Sequence, residues 1–172
     1  HKAGIQGVRT VSGDACELDE VLTSFDATLG EPVKFDTVFI DAPCSGTGTM
    51  RRHPEIPWRL TENDVTTELP KLQLTMLKEA AARVAAGGEL IYATCSVFDE
   101  ENTQVVDAFL NSPEGTGFTV APLSEAQILQ LPEFAQAKKL VSVRQNDRGL
   151  FQSVPVNADS YDGHFCARLI HK

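Results

Sequence analysis

The feature that most constrains the fold is a short apolar run that stops at a rigid, polar turn. Residues 37–40 read Thr-Val-Phe-Ile, and Asp-Ala-Pro-Cys-Ser-Gly-Thr-Gly follows at residues 41–48. A β-branched and aromatic run of this length, bounded by turn residues, predicts a buried strand. Pro43 fixes its own φ angle and disfavours helix just before it, so the chain between Asp41 and Cys44 is stiff. Because open α/β sheets bind ligands beyond the carboxyl ends of their strands, both side chains are candidate site residues.

A second predicted strand ends in a similar way further along the chain. Residues 89–94 read Glu-Leu-Ile-Tyr-Ala-Thr, and Cys95 follows directly. The two glycines at 87 and 88 are predicted to end a helix and to lead into this strand. Carboxyl ends of neighbouring parallel strands meet at one edge of a sheet, so Cys95 is expected to face the same pocket as Cys44 and Asp41.

The other predicted elements alternate between helix and strand, which is typical of a doubly wound α/β domain. Apolar residues recur every three or four positions where helices are predicted, and short β-branched runs mark the strands. The predicted helices are residues 17–28, residues 70–86 and the segment that follows the acidic residues 99–101, and the predicted strands are residues 8–11, 118–120, 150–154 and 164–170. The last two strands are expected to pair antiparallel through a long turn at residues 157–163. Residues 123–139 suggest a short helix and a loop, and residues 1–172 are taken as a single domain.

Charge and apolar patterning exclude some classes of protein. The net charge is -9, from 15 basic and 24 acidic residues, which argues against a protein that grips nucleic acid with its whole surface. No apolar run approaches the length of about 20 residues that spans a bilayer, so no membrane partner is expected. The basic side chains nevertheless cluster directly after the turn. These side chains are Arg51, Arg52, His53 and Arg59. They either contact the phosphates of a nucleic acid or form a solvated loop.

The cysteines indicate free thiols and no metal site. The four cysteines, Cys16, Cys44, Cys95 and Cys166, form no Cys-x-x-Cys pair, so a zinc site is not expected. Scattered cysteines in a chain of this size favour a reducing compartment, and the cytoplasm is the expected location. Only Cys44 and Cys95 stand at predicted strand ends, and the other two are taken as structural.

Two motifs carry a resemblance to a known family. Asp-Ala-Pro-Cys-Ser-Gly-Thr-Gly at residues 41–48 and Ala-Thr-Cys-Ser at residues 93–96 resemble motifs IV and VI of the RNA cytosine-5 methyltransferases. Arg-Arg-His-Pro-Glu-Ile at residues 51–56, followed by Trp58, is similar to the ribosomal-RNA branch of the Sun or RsmB type. Glu-Glu-Asn at residues 100–102 and the terminal Asp-Gly-x-Phe-x-Ala-x-Leu also match.

The resemblance implies a fold, a reaction and a set of roles. The fold would be a partial class I methyltransferase sheet, Rossmann-like, with a carboxyl-terminal antiparallel hairpin. The reaction would be S-adenosylmethionine-dependent methylation of cytosine C5 in RNA, with 16S ribosomal RNA as the expected partner. Cys95 would attack cytosine C6, Asp41 would hydrogen-bond the base, and Cys44 would assist loss of the C5 proton and release of the enzyme. Asp14, Asp41 and Pro43 would contact the cofactor, although Asp14 is equally suited to capping a helix.

One departure from the family pattern qualifies these roles. The glycine-rich cofactor loop and the ribose-binding acid of the family are expected before Val8, and neither is found there. The chain is therefore expected to be the carboxyl-terminal portion of a catalytic domain, inactive by itself and missing the amino-terminal half as a partner. The strand at residues 37–41 would then have an open edge, which residues 8–11 or a second copy of the chain are expected to cover.

Two other functions stay open on the sequence. One is an amino-methyltransferase, since Asp-Ala-Pro-Cys is a distant relative of the Asp-Pro-Pro-Tyr signature. Such an enzyme needs no nucleophilic thiol, so Cys95 at a strand end argues against it. The other is a non-catalytic remnant that only binds RNA, against which the retained Asp41, Cys44 and Cys95 argue.

Overall fold

The helices and strands are built from the apolar runs that the sequence predicts, with changes at their ends. A computed structural model describes residues 7–122, 143–154 and 162–172. The helices are α1 (Leu18–Leu29), α2 (Ile56–Arg59), α3 (Leu69–Ala81) and α4 (Thr103–Leu110). The strands are β1 (Phe35–Asp41), β2 (Val84–Thr94), β3 (Phe118–Val120), β4 (Val143–Gln145), β5 (Phe151–Ser153) and β6 (His164–His171). The described residues contain no helix that is long and apolar enough to cross a membrane.

The strands form one mixed sheet. Its order is β1-β2-β6-β5-β4, and β3 pairs with the other end of β6. β1 and β2 are parallel, and the pairs Ile40–Tyr92 and Asp41–Ala93 bring their carboxyl ends side by side. β6 runs antiparallel to β2 and to β5, so the predicted terminal hairpin is confirmed. Its turn at residues 157–159 and the segment 123–139 lie outside the described residues.

The core lies between β2, β6, α3 and α4. Large side chains from these elements are fully buried, and their burial drives helix and sheet together. Tyr92, Leu90, Leu77, Phe109 and Leu169 each expose 0% of their surface. The rings of Phe109 and Phe118 pack with their centroids 5.5 Å apart, which joins α4 to β3. This core holds the carboxyl ends of β1 and β2 in fixed positions.

The predicted strand at residues 8–11 is wrong. These residues have no strand pairing, and Val8 and Val11 expose 54% and 48% of their surface. Arg9 instead lies over the ring of Phe25 in α1, with its guanidinium carbon 5.6 Å from the ring centroid. A four-residue segment needs a neighbouring edge to hold it in a sheet, and this contact directs it onto the helix. Among the described residues β1 therefore stands at the end of the sheet, with Phe39 62% exposed.

The predicted helix at residues 70–86 ends early, and its last residues join β2. α3 stops at Ala81, and β2 begins at Val84. Arg83 causes the change, because its buried guanidinium binds Asp26 at 2.9 Å and its carbonyl accepts the Phe35 N–H at 2.8 Å. The two glycines, expected before the strand, lie within it in a bulge where Gly87 has a φ of 75°. The predicted helices at residues 17–28 and beyond residue 101, and the strand at 118–120, are confirmed.

Candidate active site at the ends of two parallel strands

The structure brings the two strand-end cysteines together. Cys44 follows β1 by three residues and Cys95 follows β2 directly. The Sγ atoms of Cys44 and Cys95 lie 3.3 Å apart, and both residues are half-buried. The register explains this distance, since the Ala42 N–H continues the ladder by donating to the Ala93 carbonyl at 2.9 Å.

The loop after β1 is fastened to the loop after β2 by its backbone. Gly46 adopts the left-handed conformation, with a φ of 71°, which begins a tight turn over Thr47–Thr49. The Gly48 N–H donates to the Cys95 carbonyl at 2.8 Å. The Thr47 hydroxyl accepts the Val97 N–H at 3.2 Å. These bonds hold both cysteines against each other without a disulfide.

Burial and the neighbouring thiol set the protonation of Cys44. Removal from water raises the pKa of Cys44 to about 12, and the hydrogen bond and charge of Cys95 act in the same direction. The Gly46 N–H lowers this pKa, but by less than burial raises it. Cys44 therefore keeps its proton throughout the neutral pH range and can donate a hydrogen bond to a Cys95 thiolate.

Asp41 and Pro43 lie at the mouth of this site. Both are exposed, whereas Ala42 between them is buried. Within the described residues no hydrogen bond or ion pair involves the Asp41 carboxylate, so its oxygens are available to a ligand. The Pro43 carbonyl accepts a hydrogen bond from Gln73 Nε2 at 3.0 Å, which fixes the loop to α3.

Asp14 forms a local turn. Its carboxylate accepts the Cys16 N–H at 2.8 Å, and its carbonyl accepts the Glu17 N–H at 3.0 Å, just before α1. In the part of the chain that is described, no hydrogen bond or ion pair joins Asp14 to residues 41–48. The capping role that the sequence left open is not observed, because the N-cap residue of α1 is Glu17 and no side chain caps this helix. The Asp14 carboxylate is exposed to solvent.

The basic cluster after the loop is paired with acidic residues. Its members are Arg51, Arg52, His53 and Arg59. Both Arg51 and Arg52 form ion pairs with Asp162, the former at 3.3 Å. His53 and Arg59 lie 3.4 and 3.5 Å from the carboxylate of Glu55. All four side chains stay 40% or more exposed, so three guanidinium charges and the His53 imidazole face solvent.

The sequence analysis assigned no role to three features of the segments that follow β1 and β2. Trp58, quoted only as part of a motif, exposes 89% of its surface next to the basic cluster. An apolar groove of about 350 Å³ lies between Met50, Leu60 and Phe98. Glu101, named from the sequence only within the Glu-Glu-Asn match, is completely buried and accepts hydrogen bonds from both cysteine loops. The position of Glu101 five residues after the second motif could have indicated a role near Cys95. Its partners Ser45 and Gln73 could not be predicted, because they are distant in sequence.

The fold and these two loops are those of the α/β methyltransferase class, and comparison with known proteins identifies the family within this class. The family model described as 16S rRNA methyltransferase RsmB/F matches residues 1–170. The chain therefore belongs to the RsmB/F family of 16S rRNA methyltransferases. Ribosomal RNA small subunit methyltransferase B of Citrobacter koseri is 36% identical over 140 residues, which are 81% of this chain and 27% of that protein.

Solved structures confirm the methyltransferase fold predicted from the sequence. The crystal structure of PH0851 is 32% identical, with a TM-score of 0.73 over 96% of this chain and 31% of that chain. NSun6 from Pyrococcus horikoshii, solved with SFG, is 21% identical, with a TM-score of 0.68 over 98% and 35% of the two chains. At that identity the likeness concerns the fold alone. The chain spans about a quarter to a third of the length of these relatives.

Proposed function

We propose that this chain supplies the base pocket of an S-adenosylmethionine-dependent 16S rRNA methyltransferase that modifies cytosine C5. The observation that carries the proposal is the 3.3 Å separation of the Cys44 and Cys95 Sγ atoms at the carboxyl ends of two parallel strands. Cytosine C5 is a weak nucleophile, and addition of a thiolate to C6 makes it reactive. Removal of the adduct then needs a second group beside the first, which a lone cysteine does not provide.

Cys95 is the proposed nucleophile. Its sulfur forms a bond to C6, and the electron pair of the C5–C6 double bond moves onto C5. When bound, S-adenosylmethionine supplies the electrophilic methyl group that C5 takes. Loss of the C5 proton then restores the double bond and expels the Cys95 thiolate. The target base must leave any helical stack to reach this pocket.

Cys44 is the proposed proton acceptor for the C5 proton, directly or through water. In the free protein its thiol is held neutral by burial and by Cys95. Once Cys95 is bonded to C6, its charge and its hydrogen-bond acceptor are both removed. The effects of Cys95 on the pKa of Cys44 then disappear, while burial, the largest cause, remains. To act as the acceptor, the Cys44 thiol first gives its own proton to water and then takes the C5 proton.

Asp41 and Pro43 are proposed to bind the base and the cofactor, with Asp14 at the adenine end. Asp41 stands at the end of β1, and no described residue binds its carboxylate oxygens, which suits an amino group and ring nitrogen of cytosine. Carboxylates also fit the hydroxyl, amino and sulfonium groups of S-adenosylmethionine. The stiff backbone at Pro43 keeps this acceptor in place. Asp14 offers a second exposed carboxylate before α1.

The basic cluster of Arg51, Arg52, His53 and Arg59 is proposed to bind RNA, together with Trp58. The exposed pair of Arg59 with Glu55 contributes little stability, typically below about 1 kcal/mol, so a phosphate can replace Glu55. Asp162 is largely buried, but the side chains of Arg51 and Arg52 stay 40% and 62% exposed and can bind a phosphate from the solvent side. An exposed indole is a platform on which an unstacked base can lie. The protein is acidic overall, so the cluster would direct RNA to the face that holds the cysteines.

Two further assignments belong to this proposal. Unpaired Cys44 and Cys95 are required for activity, so we place the protein in the reducing cytoplasm.

A second copy of the chain is the proposed cover for the open edge of β1, where Phe39 and Phe35 expose 62% and 39% of their surfaces. Light scattering of the purified chain tests the second assignment, because a strict monomer would contradict it.

Release of label from cytosine C5 tests the proposed reaction. The complete protein, of which this chain is expected to be a portion, is incubated with S-adenosylmethionine and 16S rRNA that carries tritium at cytosine C5. We expect methylation and tritium release in equal amounts, both lost in Cys95→Ala and both retained in Cys166→Ala, which removes a thiol outside the site. Methylation without tritium release would instead indicate transfer to nitrogen. RNA binding without methylation, in the complete protein, would indicate a non-catalytic remnant.

A further inference from the structure

A buried carboxylate joins the two cysteine loops. Glu101 exposes 0% of its surface, in the short turn Asp99–Glu101. Its oxygens accept the Ser45 N–H at 2.8 Å, Gln73 Nε2 at 3.0 Å and the hydroxyls of Ser45 and Ser96. No Lys, Arg or His side chain binds it among the described residues. Four donors therefore compensate the cost of burying this group.

The donors are placed where they control the cysteines. Ser45 follows Cys44 in the chain, and Ser96 follows Cys95. The hydroxyls of the two serines lie 3.2 Å apart, with the carboxylate bonded to both. Glu101 thus holds the residue next to each thiol, and the backbone of each loop can rotate little without breaking one of these bonds.

The turn that carries Glu101 is itself fixed to the sheet. The buried Tyr92 hydroxyl donates to the Glu101 carbonyl at 2.6 Å. The next residue, Asn102, accepts the Thr94 hydroxyl at 2.6 Å and donates to the Ser96 carbonyl at 3.0 Å. These bonds fix the carboxylate relative to the end of β2. Because the carboxylate also binds Ser45, it holds the loop after β1 in place as well.

We propose that Glu101 is a positioning residue that sets the distance and orientation of Cys44 relative to Cys95; this inference rests on the proposed function of the two cysteines. Glu101 does not reach the base. Its role is to hold the nucleophile and the proton acceptor at the distance and orientation in which both can reach the same base, as preorganised sites require.

Glu101→Gln tests the hydrogen bonds of the carboxylate most directly. It keeps the size of the side chain but replaces one acceptor oxygen by a donor amide, which then faces the donors of Ser45, Ser96 or Gln73. Glu101→Asp keeps the charge and shortens the reach by one methylene. Asp99→Asn is the matched control, since Asp99 lies in the same turn, is exposed, and shares no side-chain bond with either serine in the described structure.

The first measurement follows the thiols alone and needs no methylation. Diamide takes two electrons and two protons from a pair of thiols, and the rate of Cys44–Cys95 disulfide formation, followed by mass spectrometry, reports their proximity. We expect Glu101→Gln to form this disulfide at least tenfold more slowly than the wild type or Asp99→Asn, at equal folded fraction by circular dichroism. Glu101→Asp keeps both acceptor oxygens and replaces Glu101→Gln as the test if that variant does not fold. We expect its rate of disulfide formation to fall by less than that of Glu101→Gln.

The second measurement is methyl transfer by the complete protein. We expect kcat to fall at least tenfold in Glu101→Gln with KM for RNA unchanged, because RNA contacts lie elsewhere. Unchanged disulfide and methylation rates in the folded variants would overturn the proposal. A third outcome separates the two proposals: Glu101→Gln slows disulfide formation, but the wild-type protein transfers no methyl group. That outcome would support the positioning role and overturn the proposed function.

Discussion

Gly48 and Gly163 are in direct backbone contact. The Gly163 N–H donates to the Gly48 carbonyl at 2.9 Å, and a Cβ atom added to Gly48 would lie 2.1 Å from the Gly163 carbonyl oxygen. This contact fastens the cysteine loop to the start of β6, where the Asp-Gly of the terminal motif stands. Only glycine permits so close an approach.

Gly48→Ala should therefore separate the loop from β6. The clash is with rigid backbone, so we expect a loss of about 1–3 kcal/mol or more in unfolding free energy, as for other overpacked sites. Gly30→Ala is the control, because Gly30 has a φ of 79° but open space around its Cα, which leaves only conformational strain. Urea denaturation measures both variants, and equal losses would contradict the contact.

The ion pair between Arg83 and Asp26 predicts a pH dependence. The Val33 N–H and the Arg83 guanidinium lower the pKa of the Asp26 carboxyl below its ordinary value. Its contribution to stability is therefore complete above the unfolded-state pKa of about 3.9 and is lost as the pH falls through the folded-state pKa. Asp26→Asn should lower the melting temperature most at pH 6–7, and the deficit should shrink below about pH 4.

Differential scanning fluorimetry across this pH range makes the measurement. Glu31→Gln is the control, since Glu31 is exposed and forms no ion pair within the described residues. A deficit in Asp26→Asn that stays constant from pH 7 to pH 3 would show that the charge of Asp26 does not stabilise the fold.

The raised pKa of Cys44 predicts slow alkylation. A thiol with a pKa of about 12 has very little thiolate at pH 8, so iodoacetamide should modify Cys44 at least about a hundredfold more slowly than a free cysteine in solution. Between pH 8 and pH 10 the rate should rise about tenfold per pH unit. Mass spectrometry of peptides after timed quenching measures this. A rate that levels off near pH 9 would contradict the protonated state assigned to Cys44.

Local sequence signals were sufficient to place the two cysteine loops and most of the helices and strands. The turn residues after β1 and Cys95 after β2 located both loops, because a strand end followed by Pro or Gly is encoded within a few residues. Gly30 ends α1 in the left-handed conformation that glycine favours. These features depend on neighbours in sequence, which the pattern contains.

Features that depend on distant partners were not predictable. Residues 8–11 read as a strand, but the contact between Arg9 and Phe25 places them on α1. Alanine-rich residues after Ala81 favour helix, but Arg83 is drawn into the sheet by carboxylates on α1. The buried position of Glu101 was not predicted, because nothing near it in sequence shows that Ser45 and Gln73 would bind it.

The covalent complex with RNA tests the central claim, that Cys95 attacks the base and Cys44 allows release. The complete protein and its Cys44→Ala, Cys95→Ala and doubly substituted variants are mixed with labelled 16S rRNA and S-adenosylmethionine, then resolved on denaturing gels. We expect a shifted protein–RNA band that accumulates in Cys44→Ala, because the adduct forms but is not resolved. The band should be absent in Cys95→Ala and in the double variant. A band in Cys95→Ala, or none in Cys44→Ala, would contradict the assignment of the two thiols.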